Sequence, residues 1–223
     1  MNDKNNIKNK ALKLLDGAYD LETPEDNIVY YKNFSKVYDQ VFASGLEYSY
    51  PKYVADEFMQ NYNNIGSICD IGCGTGLVAN ELKYINSNLI IDGFDISPDM
   101  IDVARHKNIY RDLYEIDLTK PIRNVPNNYS GIISAGAFTH GHLGPEIIKE
   151  LLSICVDRAI LTIGINAIHY KEKGFEKFFH NLEIINKIKM KKISNSSIYS
   201  NNQTADNKKN NMAIITVFEK IKS

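Results

Sequence analysis

From residue 65 onward the chain alternates short apolar runs with amphipathic stretches. Ile65 to Cys69 is an apolar run, Asp70-Ile71-Gly72-Cys73-Gly74-Thr75-Gly76 follows it, and Leu77, Val78, Leu82 and Ile85 then recur at helical spacing. The same alternation predicts strands near 66–71, 89–95, 112–116, 129–135 and 159–165, and helices near 76–86, 98–107, 144–155 and 171–182. Ser97-Pro98-Asp99 offers a capping hydroxyl and a proline suited to a first helical position. Strands and helices in this order predict a parallel sheet with right-handed crossovers.

Both ends of the chain depart from the alternation. Residues 1–20 carry only a weak apolar stripe, which predicts a frayed arm or a short helix. Thr23-Pro24-Glu25-Asp26 is a helix start, and Phe34, Val37, Tyr38, Val41 and Phe42 form its stripe, with Gly45 as its end. Pro51 opens another helix with Val54, Ala55, Phe58, Met59 and Tyr62 on one face. At the other end Ile188–Ile198 and Met212–Phe218 pattern as strands, and residues 201–211 between them show no helical pattern. A parallel return needs a crossover of about a dozen residues or more, usually helical. An antiparallel hairpin is therefore expected. The fold class expected is α/β: a doubly wound, mostly parallel seven-stranded sheet with an antiparallel C-terminal hairpin. Residues 1–64 form an arm and helical lid, and 65–223 the core of one compact domain.

The glycine turn carries the chemistry. Glycines at alternate positions remove the β-carbons from one side, so a ligand can lie against the backbone beneath the positive end of the following helix. In the dinucleotide frame G-x-G-x-x-G the third position is Leu77; the frame that fits is D-x-G-x-G-x-G. Ligands on open α/β sheets bind beyond the carboxyl ends of the strands. Asp70 and Asp95 end the first two strands, and Asp117 follows the third. Asp95 lies where an acid that accepts from ribose hydroxyls is expected, so the set reads as a nucleoside site.

Composition narrows the choice. At 223 residues and 43% hydrophobic, the chain holds one well-buried core. A net charge of −1 gives no electrostatic reason to expect nucleic acid or an anionic membrane as a partner. No apolar stretch approaches the roughly 18 residues of a membrane span, and the N-terminus lacks the apolar region of a secretion signal. Cys69, Cys73 and Cys155 are odd in number, which points to a reducing cytoplasm rather than a disulfide framework. Cys69 and Cys73 lack C-x-x-C spacing, and the His140–His142 loop holds no Cys, Asp or Glu, so no metal is expected.

Cys69-Asp70-Ile71-Gly72-Cys73-Gly74-Thr75-Gly76, Gly93-Phe94-Asp95-Ile96-Ser97 and Glu115-Ile116-Asp117-Leu118 resemble the class I S-adenosylmethionine-dependent methyltransferases, over about residues 27–220. Gly136-Ala137-Phe138-Thr139-His140-Gly141-His142 is similar to a G-A-x-T-H-G-H stretch in a methyltransferase-like subgroup. The resemblance implies that Gly72, Cys73, Gly74 and Gly76 bring backbone to S-adenosylmethionine, with Asp70 supporting its amino-acid end. It implies that Asp95 holds the ribose, that Ile96 and Met100 pack on adenine, and that Asp117 accepts from the adenine amino group beside Leu118. Tyr38 would cover the methionine portion, although its place in the helical stripe equally suits the core; Met100 is open to the same second reading. One departure is visible: where the family commonly has a P-G-G turn before its fifth strand, this chain reads Cys155-Val156-Asp157-Arg158-Ala159.

Methyl transfer to a small-molecule acceptor is the leading expectation. His140 and His142 are the candidate general bases, slightly in favour of His140; the alternative for each is a structural loop histidine. His169 and Tyr170 follow the fifth strand and are weaker candidates for the same mouth. Two other function classes compete: a cofactor-binding regulator or partner subunit without transferase activity, and an NAD(P)-dependent oxidoreductase, against which Leu77 stands.

Overall fold

A computed structural model of the chain describes residues 21, 23–39, 48–63, 65–200 and 211–222. The expected arm over residues 1–20, the helix end at Gly45 and most of the 201–211 connection lie outside them. The elements are α1 (Pro24–Tyr38), α2 (Tyr50–Met59), β1 (Ser67–Ile71), α3 (Leu77–Ile85), β2 (Ile90–Asp95), α4 (Pro98–His106), β3 (Leu113–Glu115), β4 (Tyr129–Phe138), α5 (Ile147–Ser153), β5 (Cys155–Asn166), α6 (Ala167–Glu172), α7 (Phe175–Ile184), β6 (Ile188–Ser197) and β7 (Met212–Lys220).

The seven strands form one sheet in the order β3-β2-β1-β4-β5-β7-β6. The first five run parallel, and β7 is antiparallel to both β5 and β6. The terminal hairpin is therefore as the sequence predicts. All five residues of β1 are buried, as expected of a central strand covered on both faces. One face carries α1, α2 and α3, through Phe34, Val54, Phe58 and Leu82. The other carries α5 and α7, through Ile148, Leu151, Phe175 and Phe179.

Local chemistry sets the boundaries. Thr23 and Asp26 form a reciprocal capping box at the start of α1 (3.0 and 3.1 Å). Ser97 caps α4 by accepting from the Met100 amide at 3.4 Å. The helix expected over 171–182 is instead two, because Gly174 takes a left-handed conformation (φ 68°) between α6 and α7. β5 begins at Cys155, ahead of the expected 159, and Arg158 within it has a positive φ of 66°. A glycine adopts that conformation more readily than the arginine this chain has there.

Asp92, fully buried in β2, ties the sheet to its flank. It accepts from Arg111 Nε (2.9 Å), the Tyr129 hydroxyl (2.7 Å) and the Asp112 amide (3.2 Å). With several donors around it, this buried carboxylate is satisfied.

Candidate active site

Strand order reverses between β1 and β4, and a cleft with a cavity volume of about 130 Å³ opens beyond their carboxyl ends. Its walls are Gly72 and Gly74 after β1, Asp95 at the end of β2 and Ile96 after it, Met100 on α4, Ile116 to Thr119 after β3, Ala135 to Ala137 on β4, and Gly141 to Leu143; Tyr31 and Tyr38 of α1 are also in the lining.

The glycine turn has the conformation that its sequence requires. Gly72, Gly74 and Gly76 all have positive φ (63°, 52° and 89°). A β-carbon on Gly72 would sit 2.4 Å from that of Ala137, so the ends of β1 and β4 approach only because residue 72 has none. A β-carbon on Gly74 would meet nothing closer than the Met100 methyl at 4.0 Å; it would enter the open cleft. The turn leads into α3, whose N-cap is Gly76.

Asp95 sits at the centre of this arrangement. One carboxylate oxygen accepts from the Gly74 amide (2.7 Å) and the other from the Ser97 amide (2.9 Å). Burial raises its pKa, and the backbone hydrogen bonds from Ser97, Gly74 and Ile96 oppose that rise. Each oxygen retains lone-pair capacity toward the cleft. Asp117 is also committed locally: Thr119 donates from its amide (3.0 Å) and hydroxyl (2.5 Å), and Lys120 pairs with it at 2.8 Å. Burial alone would raise the Asp117 carboxyl, but hydrogen bonds from Lys120 and Thr119 prevail and hold it below the usual carboxylate range.

Of the residues singled out from the sequence, Tyr38, Gly72, Gly74, Asp95, Ile96, Met100, Asp117, Leu118 and His142 line the cleft. Tyr38 packs its ring edge-on against Phe34 (centroids 5.2 Å apart) and also lines the cleft. Asp70, Cys73, Gly76 and His140 are not part of the lining. The Cys73 sulfur turns beneath the site, toward Gly93, and a β-carbon on Gly76 would meet Tyr110 rather than the cleft. Asp70 is buried under the turn, where Tyr110 donates to it at 2.8 Å. Burial raises its carboxyl to about 7, with the Tyr110 hydroxyl opposing, the Asp95 charge adding to the rise, and the Ala79 amide opposing. Tyr110, forty residues from its partner, was not identifiable from local sequence.

A folded state that holds the Asp70 proton more tightly than the unfolded chain is favoured below the ordinary value of 3.8 and loses that advantage as pH rises through about 7. The urea midpoint of the wild type is therefore expected to fall, relative to that of Asp70→Asn, between pH 4 and 7. Parallel curves would mean that Asp70 is ionised throughout.

The histidines separate. His142 lines the cleft while His140, two residues earlier, does not. Burial lowers the His142 pKa to about 4, with smaller contributions from His169 and His140, and its Nε2 is buried without a partner. His169 is anchored elsewhere: it is 2% exposed, its Nε2–H donates to the Leu143 carbonyl (2.9 Å), and it holds the 141–143 turn against α6. Among the described residues no group of three or more His, Cys, Asp or Glu is placed to hold a metal ion. No described helix is long and apolar enough to cross a membrane, and the three cysteines are free and buried.

Residues 68–157 match a family described as a methyltransferase domain. A TehB-like S-adenosylmethionine-dependent methyltransferase from Corynebacterium glutamicum superposes with a TM-score of 0.60 at 19% identity, over 86% of this chain and 98% of that one. The fold is that of an S-adenosylmethionine-dependent methyltransferase. Two human proteins are each 29% identical to this chain over 126 residues. Methyltransferase-like protein 27 aligns over 55% of this chain and 51% of its own length; Probable tRNA methyltransferase 9B aligns over 54% and 26%. The alignments thus span about half of the first relative and about a quarter of the second. The second name bears on the expectation from charge. With a relative so named, near-neutral net charge does not by itself exclude a nucleic-acid acceptor.

Proposed function

We propose that this chain transfers the methyl group of S-adenosylmethionine to a small-molecule acceptor bound beneath α1. The observation that carries the reading is Asp95, a cleft-lining carboxylate held by the Gly74 and Ser97 amides opposite a glycine whose missing β-carbon leaves the cleft open.

The residues present fit the cofactor. Asp95 would accept from the ribose hydroxyls, and Ile96, Met100 and Leu118 supply an apolar slot for a flat base beside Asp117. Gly72 and Gly74 admit the ligand to the backbone, and Tyr38 covers the far end. The bound cofactor supplies an electrophilic methyl group on a positively charged sulfur. The chain's own work is then alignment, which contributes roughly 7–11 kcal/mol where the reacting atoms are well placed. His142, with His140 outside the lining, is the residue that orients the attacking atom of the acceptor. Neutral at physiological pH, it accepts or donates one hydrogen bond and removes a proton only from an acidic acceptor. Among the described lining residues there is no lysine or arginine, which favours an uncharged or cationic acceptor over a phosphorylated one. With its cysteines free, we place the protein in the cytoplasm.

Methyl-labelled S-adenosylmethionine, offered with a metabolite extract or with total RNA, tests the acceptor. Label in a low-molecular-weight product supports the proposal. Label in RNA overturns it, and tight binding without product identifies a cofactor-binding regulator. His142 protonates in the folded state only near pH 4, so its stabilising neutral form persists above its ordinary value of 6.5 and is lost as pH falls through about 4. Turnover is therefore expected to show no inflection near 6.5, while His142→Ala lowers kcat about 10- to 100-fold. An acid limb at 6.5 that His142→Ala removes would contradict this assignment.

A further inference from the structure

The C-terminal end of α1 is fastened to the cleft by one residue that the reading above does not use. Asp39, the C-cap of α1, accepts from the Thr75 hydroxyl at 2.6 Å through one carboxylate oxygen. Its other oxygen pairs with Lys107 Nζ at 2.5 Å. Thr75 belongs to the glycine turn and is 1% exposed; Lys107 is the C-cap of α4. α4 carries Met100 into the cleft and packs against α1. The carboxylate therefore joins three elements that surround the site: the lid helix, the glycine turn and the wall helix. Tyr38, its immediate neighbour in sequence, lines the cleft.

We infer that Asp39 is a positioning residue that latches α1 to the glycine turn and to α4, and thereby fixes Tyr38 over the bound ligand. The geometry favours this over an incidental surface pair. A bond to a hydroxyl that is almost fully buried has a fixed direction, whereas an exposed Lys–Asp pair alone contributes little. Two different acceptor atoms of one carboxylate are engaged, so rotation of α1 away from the turn breaks both contacts together. The latch also gives the glycine turn a route to the lid: a ligand that orders the turn orders Thr75, and through Asp39 orders α1.

The ligand half of this inference rests on the cleft being the nucleoside site, but the latch can be read without any ligand. In the ligand-free protein, Asp39→Ala is expected to raise amide hydrogen exchange across residues 24–38 by at least tenfold, with β4 and β5 unchanged. Unchanged exchange in α1 overturns the latch whatever the cleft binds. Calorimetry with S-adenosylhomocysteine then tests its consequence. Asp39→Ala and Thr75→Val should each weaken binding about tenfold, and the double variant should be no worse than either alone. Thr75→Ser, which keeps the hydroxyl, should bind as wild type. Asp39→Asn keeps an acceptor for Thr75 but loses the charge pair, so its smaller defect should disappear in high salt. Additive losses, or a Thr75→Ser variant as weak as Thr75→Val, would overturn the coupling. Absence of binding by the wild type, with α1 exchange still responding to Asp39→Ala, would count against the nucleoside site and leave the latch standing.

Discussion

Asp95→Ala is expected to weaken binding of S-adenosylhomocysteine by about 10- to 100-fold, the effect of losing charge-assisted hydrogen bonds worth about 1.5–3 kcal/mol. The loss has two sources. The ribose hydroxyls lose their acceptor, and the Gly74 and Ser97 amides lose theirs, so the glycine turn no longer has a fixed opposite wall. Asp95→Asn separates them. Its side-chain oxygen still accepts, but one of its two contacts becomes donor against donor, so it should fall between wild type and Asp95→Ala. Isothermal titration reads all three affinities, and thermal unfolding checks that the sheet is intact. Unchanged affinity in Asp95→Ala would remove the residue from the site.

Gly72→Ala should be strongly destabilising. The new β-carbon would lie 2.4 Å from that of Ala137 and carry a φ of 63° that an L side chain rarely adopts. Neither atom can rotate away, because both are fixed to backbone at the ends of adjacent strands. Left-handed strain and overpacking together cost about 2–4 kcal/mol, which corresponds to a Tm lower by about 5–15 °C. Gly74→Ala provides the contrast. At φ 52° its β-carbon carries the left-handed strain but meets only the Met100 methyl at 4.0 Å, so it should cost less stability than Gly72→Ala, about 1 kcal/mol, while obstructing the cleft. Gly72→Ala should therefore act chiefly on unfolding and Gly74→Ala chiefly on affinity. If both lost stability equally, the open side of the turn would not face the ligand.

Contacts between near neighbours were the ones most legible in the sequence. The Thr23 box, the Ser97 cap and the glycine turn each depend on a few adjacent residues, and each appears where expected. Asp95 was readable because its spacing from the glycine turn places it at the carboxyl end of β2. The antiparallel C-terminal hairpin followed from the missing crossover between the last two strands. Other features depend on pairings that no local pattern encodes. The Asp39–Thr75 bond spans 36 residues and the Tyr110–Asp70 bond spans 40. The choice between His140 and His142 turns on the path of the 139–142 turn, where Gly141 has φ 74° and the His142 amide bonds back to Thr139. The helix expected near 171–182 is divided by Gly174, whose left-handed conformation separates α6 from α7.

The central claim is that the glycine turn and Asp95 select a sulfonium nucleoside over a dinucleotide. Calorimetric titration of the wild-type protein with S-adenosylmethionine, S-adenosylhomocysteine and NAD tests it directly. The account predicts saturable binding of the first two and none of NAD, because residue 77, glycine in the dinucleotide frame, is a leucine at the first position of α3. Saturable binding of NAD, with no heat from either sulfur nucleoside, would contradict it.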